Sequence, residues 1–547
     1  MKLKRIFATA VAGVLCLSLA ACGEAAQSSS ESGDAPVKET TVTLTESWEF
    51  TAGFYPVLTA SNSNDTGSTY WGQNFYNTLV SYDENGEIQG ELATDWDISE
   101  DGLTYTFTLR DGVKFSDGTD LTASAVKSSF EGSIQNLGPY LGSYGKVSAI
   151  IDSMEAPDDK TFVMTLTQPY YATLNDLTMC NPMAIVNPAA FSQDQTPYEI
   201  CAEQTMGTGP YMYAGDFDGT TYTFVRNPYY WGEAPEVDSF KIKVIEDNDA
   251  KVLALRNGEI DAILGTSCLS YDAYSELSGD SAFGTAVDEA GTMTRYLGLN
   301  LSKAPFDNIL VRQAIAYALD KETLCASVFQ GIEQPAETLF AADEPYCDVD
   351  QTTYAYDLAK ANEFMDEAGW LDSDGDGIRE MDGQKLEFTM IYYTQIGSMG
   401  DAVLAIADQL AEIGFKITTN GTDMMTWYSA VGSGDYDMSM CQTYGGAYDP
   451  STVMTNMNPD LGADPIVMQV ASFLEDGNAL ILELDSTSDP ARVQEIYSDV
   501  LGTVAGQVLM IPVSYTREYA AWNSEVMMGY DFYPGGRYIN VAGIHIG

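Results

Sequence analysis

Asp101-Gly102-Leu103-Thr104-Tyr105-Thr106-Phe107-Thr108-Leu109-Arg110-Asp111-Gly112-Val113-Lys114-Phe115-Ser116-Asp117-Gly118 is the run on which the reading of the chain turns. From Thr104 to Leu109 large apolar side chains alternate with threonines, the period-2 pattern of a strand with one buried face. Asp111-Gly112 and Asp117-Gly118 are turn formers, so the strand is followed by tight bends. The same alternation recurs in Thr41-Val42-Thr43-Leu44, Phe162-Val163-Met164-Thr165-Leu166 and Tyr222-Thr223-Phe224-Val225. Apolar residues at helical spacing predict helices over 311–319, over 356–368 closing on Gly369, and over 401–413 closing on Gly414. The mixture is α/β, with no repeat of the kind that builds a solenoid.

The chain has 547 residues, which is too long for one ordinary core. Hydrophobic residues make up 45% and charged residues 19%, the balance of a folded protein rather than a disordered one. Lys plus Arg number 25 against 80 Asp plus Glu, a formal charge of −55. Such a surface repels phosphate backbones and excludes nucleic acid as a partner. The single histidine, His545, sits two residues from the C-terminal Gly547. His-rich zinc sites, Ser–His–Asp triads and Cys–His dyads need an imidazole inside the fold, so all three are excluded together.

Lys2, Lys4 and Arg5 precede an apolar run over 6–19, a signal-peptide pattern too short to cross about 30 Å of hydrocarbon. Leu19-Ala20-Ala21-Cys22-Gly23 resembles a bacterial lipobox. That resemblance implies removal of residues 1–21, a diacylglycerol on the Cys22 thiol, and a lipid anchor rather than a span. Residues 22–40, rich in Ser, Glu and Ala, read as a flexible tether. Loss of 1–21 takes three cations and no acids from the total of −55, leaving −58. Cys180, Cys201, Cys268, Cys325, Cys347 and Cys441 remain besides Cys22. In an exported chain, Cys180/Cys201 and Cys325/Cys347 are near enough in sequence to suggest loop-closing disulfides.

Several motifs now fall in one order. After 101–118 come Gly207-Thr208-Gly209-Pro210-Tyr211, Arg226-Asn227-Pro228-Tyr229-Tyr230-Trp231-Gly232, Leu255-Arg256-Asn257-Gly258-Glu259-Ile260-Asp261, Val311-Arg312-Gln313-Ala314-Ile315-Ala316-Tyr317-Ala318 and Glu367-Ala368-Gly369-Trp370. Together with the lipobox they resemble solute-binding protein family 5, the substrate-binding lipoproteins of peptide/nickel-type ABC importers, nearest in pattern to the nickel-binding branch. The resemblance implies an α/β, two-lobed periplasmic-binding-protein type II fold with an extra subdomain inserted in the first lobe. By the family pattern the first lobe takes 41–75, 205–290 and 510–547, the insert 76–204 and the second lobe 291–509. It further implies a monomeric extracytoplasmic receptor, without cofactor or catalysis, that delivers a metal chelate or a peptide to ABC permease subunits. The turn-forming residues of these motifs read as scaffold, since turn chemistry accounts for them.

For the ligand, the family resemblance points to Thr443-Tyr444-Gly445-Gly446-Ala447-Tyr448-Asp449-Pro450. Peptide receptors of the family carry an Asp four residues before that Pro, where this chain has Gly446. The nickel branch has aromatics at Tyr444 and Tyr448, and a cleft tryptophan where Tyr140 stands. It also has a metal-contacting His after the Asp-Pro pair and an Arg-Pro-Phe-Arg stretch. Here those read as a His-free 456–464 and Asn181-Pro182-Met183-Ala184. Tyr140, Tyr444 and Tyr448 are therefore the candidate stacking residues. Trp48 is a candidate for the first-lobe wall, and Arg295 is either an anion anchor or a surface ion pair.

Asp372-Ser373-Asp374-Gly375-Asp376-Gly377-Ile378 has the spacing of a calcium-loop start, with Asp372, Asp374 and Asp376 as candidate ligands. Position 12 is Gly383, so the bidentate Glu is missing, and a plain turn fits equally. Two rival classes stand beside the receptor: a hydrolase using two carboxylates, and a sensory receptor docking on a membrane partner. G-x-S-x-G, P-loop and H-E-x-x-H motifs are all absent from the sequence.

Overall fold

Thr104–Leu109 is a strand that buries Tyr105, Phe107 and Leu109, as its alternation predicts. It belongs to a computed structural model that describes residues 39–50, 53–57, 70–138, 141–142, 145–191, 197–265, 269–394, 398–444, 449–461, 464–536 and 538–547. Among these residues the strand is second in an antiparallel sheet ordered Ala93–Ile98, Thr104–Leu109, Thr161–Leu166, Ile151–Glu155. Phe107 pairs with Phe162 across it. Phe130 of the helix Ala123–Leu137 closes that face, its ring 5.6 Å from Phe162. The helix begins where the Thr122 side chain accepts from the Ala125 amide at 3.2 Å.

The turns of the opening motif are scaffold. Gly118 has φ +86°, a left-handed conformation, and a Cβ there would lie 3.0 Å from the Tyr229 ring. At Gly209 a Cβ would come within 2.5 Å of the Phe75 carbonyl carbon, so the glycine is what lets two backbones touch.

Three further sheets of three or more strands accompany this one among the described residues, with three two-stranded ribbons besides. Thr41–Glu46, Ser239–Val244, Thr221–Arg226 and Tyr211–Tyr213 form one, its first pair parallel. Ala262–Leu264, Tyr519–Asn523 and Phe283–Val287 form an antiparallel second. The largest is ordered Gln334–Pro335, Met510–Thr516, Met293–Leu299, Met438–Gln442, Glu387–Tyr393, Lys416–Thr422, with the helix Met399–Ala411 packed on its last two strands. Met510–Thr516, assigned by the family pattern to the first lobe, pairs with Met293–Leu299 in this largest sheet.

Buried side chains form three clusters that follow this division. One gathers Leu44, Phe224, Phe240 and Ile242 with Trp522 and Ile544. Another lies wholly within 79–185, around Phe107, Phe130 and Phe162. The third fills the largest sheet and its helices, from Ala254 to Ala521.

The chain passes twice between the three-stranded and the largest sheet, through 288–292 and 517–518. These connections run side by side. The Asp288 amide donates to the Glu518 carbonyl and the Thr292 amide to the Thr516 carbonyl, both at 2.8 Å. Arg517 Nη2 donates to the Glu289 carbonyl at 2.9 Å.

Helix ends shift slightly from expectation. The helices are Ile309–Ala318, Leu358–Glu367 and Met399–Ala411. The second starts after Asp357, because that side chain caps the Lys360 amide at 3.0 Å. Gly369 and Gly414 close theirs with φ of +85° and +88°, as read. No helix among the described residues is long and apolar enough to cross a membrane.

The expected disulfides are absent. Cys180, Cys201, Cys325 and Cys347, with Cys441, are free and buried. Each is packed as a small apolar side chain; Cys180 Sγ, for instance, fills the space where a Gly72 Cβ would stand. Burial pushes the Cys201, Cys325 and Cys441 thiols up to about 12, so no reactive thiolate forms. Cys22 and Cys268 lie outside the described residues. Dithiothreitol is accordingly expected to leave the thermal unfolding midpoint unchanged; a drop of several degrees would reveal a structural bridge.

Candidate functional site

Of the residues singled out in the sequence, Tyr140, Tyr448 and Cys22 lie outside the described residues. Trp48 is half-buried just past the strand Thr41–Glu46 and stacks on Tyr70, with ring centroids 6.3 Å apart. Tyr444 follows the strand Met438–Gln442, half-buried against the large core, and its hydroxyl faces Asn456 and Asp464.

Arg295 is neither an anchor nor a surface pair. It is 4% exposed, and its Nε donates to both oxygens of the fully buried Glu333, at 2.9 and 3.1 Å. Tyr271 and Ser514 also donate to Glu333. Although burial alone would lower its pKa, the Glu333 charge raises it, so the guanidinium stays charged. Tyr271 opens the helix Tyr271–Ser278, which packs on the three-stranded sheet, while Arg295 and Ser514 sit in the largest one. The cluster therefore ties the two sides together beside the crossings. The low count of cations hid this, because spacing says nothing of a carboxylate 38 residues away.

The Asp372, Asp374 and Asp376 carboxylates gather within 4.8 Å of one another and are exposed. The Lys385 ammonium already bonds Asp374 at 2.9 Å and Asp376 at 2.5 Å, and the Asp372 side chain caps the Gly375 amide. The arrangement is that of a turn in which one lysine bridges two of the three carboxylates.

A richer constellation lies where the 79–185 subdomain meets the helices of the second half. Lys146 Nζ pairs with Asp485 Oδ2 at 2.8 Å and donates to the Asp485 carbonyl at 3.1 Å, across 339 positions of sequence. Gln168 donates to the same carbonyl at 2.8 Å. The Tyr171 and Tyr497 hydroxyls bond each other at 2.8 Å, and the Tyr171 ring meets Tyr346 and Tyr497 edge-on. Gly142, Gly145, Lys146 and Tyr170 from one side, with Thr452, Thr455 and Asn456 from the other, line a cavity of about 10 Å³. Sequence reading singled out neither Lys146 nor Asp485, which become neighbours only through the fold.

Buried acids crowd this junction. Burial raises Asp176 well above the ordinary carboxylate range, with the nearby Asp449 charge adding to it. Burial pushes Asp449 up to about 6 and Glu344 up to about 8. It raises Asp485 too, against the pull of Lys146.

With this geometry in view, comparison with known proteins is direct. The model of the bacterial extracellular solute-binding proteins, family 5 Middle, matches residues 87–464. A nickel-binding periplasmic protein of Escherichia coli (strain K12) is 31% identical over 445 residues, covering 80% of this chain and 83% of that protein. A putative ABC transporter peptide-binding protein of Brucella ovis is 28% identical over 441 residues, covering 79% and 80%. The crystal structure of NikA from Brucella suis in complex with Fe(III)-EDTA superposes with a TM-score of 0.84 at 28% identity, covering 93% of this chain and 100% of that one.

Removing one partner of a buried pair strands the other charge, so Glu333→Ala should cost about 3–5 kcal/mol in urea unfolding. A loss below about 1 kcal/mol would show that Arg295 finds water or another anion. The pH profile has a definite sign. An acid whose folded pKa is raised binds its proton more tightly in the folded state, so its neutral form stabilises at low pH. That contribution is lost as pH climbs through the folded value. The unliganded protein should therefore melt at a higher temperature at pH 5 than at pH 8. Glu344→Gln should flatten the fall between pH 6 and 8, and an unaltered slope would remove Glu344 as its source.

Proposed function

The chain belongs to the bacterial extracellular solute-binding proteins, family 5, and from this premise we propose that it captures a small solute between two lobes and delivers it to the permease of an ABC importer. The solute class is a metal chelate, nickel foremost, or a peptide. The likeness to a nickel-binding and to a peptide-binding relative supports both. The observation that carries the reading is the junction of Lys146, Gln168 and Tyr171 with Asp485 and Tyr497, formed on a molecule whose sheets join through two paired crossings. Such connections absorb a change of angle as a hinge. A solute touching both walls lowers the free energy of the closed state relative to the open one, which converts binding into a shape the permease can read.

The first lobe then comprises 41–75, 205–290 and 517–547, with 76–204 inserted in it, and the second lobe 291–516. Tyr140, Tyr444 and Tyr448 supply stacking faces for the solute, and Trp48 a wall of the first lobe. The mature chain begins at a lipid-bearing Cys22, tethered through residue 40 on the outer side of the cell membrane, and acts as a monomer. The solute leaves unchanged, and ATP hydrolysis belongs to other subunits.

Native mass spectrometry of the purified protein, before and after adding a peptide pool or nickel with histidine, tests this reading. A one-to-one adduct that releases a solute of unchanged mass is expected. Release of a solute of altered mass would instead identify an enzyme.

A further inference from the structure

A cavity at the edge of the largest sheet shares no residue with the junction. It exists because the edge strand Gln334–Pro335 is short. Gln334 pairs with Tyr515 and Pro335 with Ser514, and the Ala336 amide still reaches the Val513 carbonyl at 3.1 Å. There the ladder stops, so Met510, Ile511 and Pro512 have no strand beside them on that edge. The gap is closed instead by the short helix Lys321–Ser327, the stretch 351–356 and the end of the helix Pro490–Gly506. The Tyr354 hydroxyl, donating to the Ala505 carbonyl at 3.1 Å, joins the last two.

The gap has two parts. The larger, about 370 Å³, lies among Asp320, Lys321, Glu322, Glu337, Tyr354 and Tyr356, and has the volume of a small-molecule site. Beside it is a recess of about 20 Å³, lined mainly by Leu339, Val504, Val508, Met510 and Ile511. Lys321, Glu337 and Tyr354 border both parts.

The charges on this border are separated. Lys321 is 7% exposed, and its ammonium donates to the Ala336 carbonyl at 2.7 Å. It pairs with no carboxylate among the described residues, which leaves two of its N–H groups for another acceptor. Glu337 is exposed and makes no ion pair among the described residues either, although it follows the residue that Lys321 holds. Burial lowers the Lys321 pKa and the Glu337 charge pulls it back, so the two sense each other without touching. Asp320 is already occupied, accepting from the Thr323 amide at 3.0 Å and the Thr323 hydroxyl at 2.7 Å.

We propose that this cavity is a second binding site, separate from the junction, for a free α-amino acid with a short apolar side chain, its carboxylate on Lys321, its ammonium toward Glu337 and its side-chain tip in the recess. A buried ammonium without a counter-charge is costly, and a ligand carboxylate supplies that charge through a charge-assisted hydrogen bond. A plain anion would meet Glu322 and Glu337 as well, and a plain amine would leave Lys321 unanswered. A zwitterion satisfies both ends. The apolar recess has room for about one methyl-sized group and no polar partner to hold a water there, which favours a short branched side chain.

Calorimetric titration of the purified protein with L-valine, isovalerate and isobutylamine tests this. Isovalerate is valine without the ammonium, and isobutylamine is valine without the carboxylate. Valine is expected to bind one-to-one, with each single-charge analogue weaker by about tenfold or more. Glu337→Gln alters an exposed side chain and should keep the wild-type melting temperature. In that variant valine should weaken by about tenfold, closing its gap to isovalerate. Lys321→Met should in turn close the gap between valine and isobutylamine. Wild-type affinity for valine in Glu337→Gln, equal binding of valine and its two analogues, or failure of the wild-type protein to bind valine each overturns the site. None of these results touches the capture of a solute between two lobes.

Discussion

Four backbone groups decide how this molecule can move. The amides of Asp288 and Thr292 and the carbonyls of Glu518 and Thr516 bind the outward and return crossings of the chain into one short ribbon. A single crossing would leave the two sides free to rotate about any axis. Two crossings bonded side by side restrict the motion to bending about the ribbon, so the faces that meet on closure are the same each time. The buried Arg295–Glu333 pair, with Tyr271 and Ser514, stiffens the ground beside the ribbon. Strong internal bonding near a hinge keeps the bending confined to the few residues that lack it.

Against that frame the charges are unevenly distributed. The chain carries a formal −55, and most of its acids can stay hydrated at little cost. The acids at the junction cannot. Asp176, Asp449 and Asp485 are taken from water together with one lysine, and the low-dielectric surroundings magnify each unpaired charge. The aromatic residues at the same junction, Tyr170, Tyr171 and Tyr497, pack edge to face against one another.

Much of this was legible from residue order, and the rest was not for physical reasons. Thr104–Leu109 was read correctly because a half-buried strand writes its period into neighbouring residues. The glycines at 118, 369 and 414 were read correctly because a positive φ excludes most other residues. The start of Leu358–Glu367 was displaced by the Asp357 cap, a local hydrogen bond that apolar periodicity does not register. The cysteine pairs failed because nearness in sequence is not nearness of sulfur atoms. That Met510–Thr516 pairs with Met293–Leu299 was not legible, since a strand next to a crossing carries no mark of the side on which it pairs. Arg295 was judged by the abundance of acids, whereas it is buried against Glu333 and Tyr271. Asp176 drew no notice, because the burial of an aspartate depends on walls contributed from 146 and 449, far away along the chain.

The thiols carry a last consequence. Five cysteines lie sealed in cores as apolar filler, so the native state holds no covalent cross-link among them. Packing around those five positions therefore needs no oxidant to form, and it is the same in reducing and in oxidising surroundings.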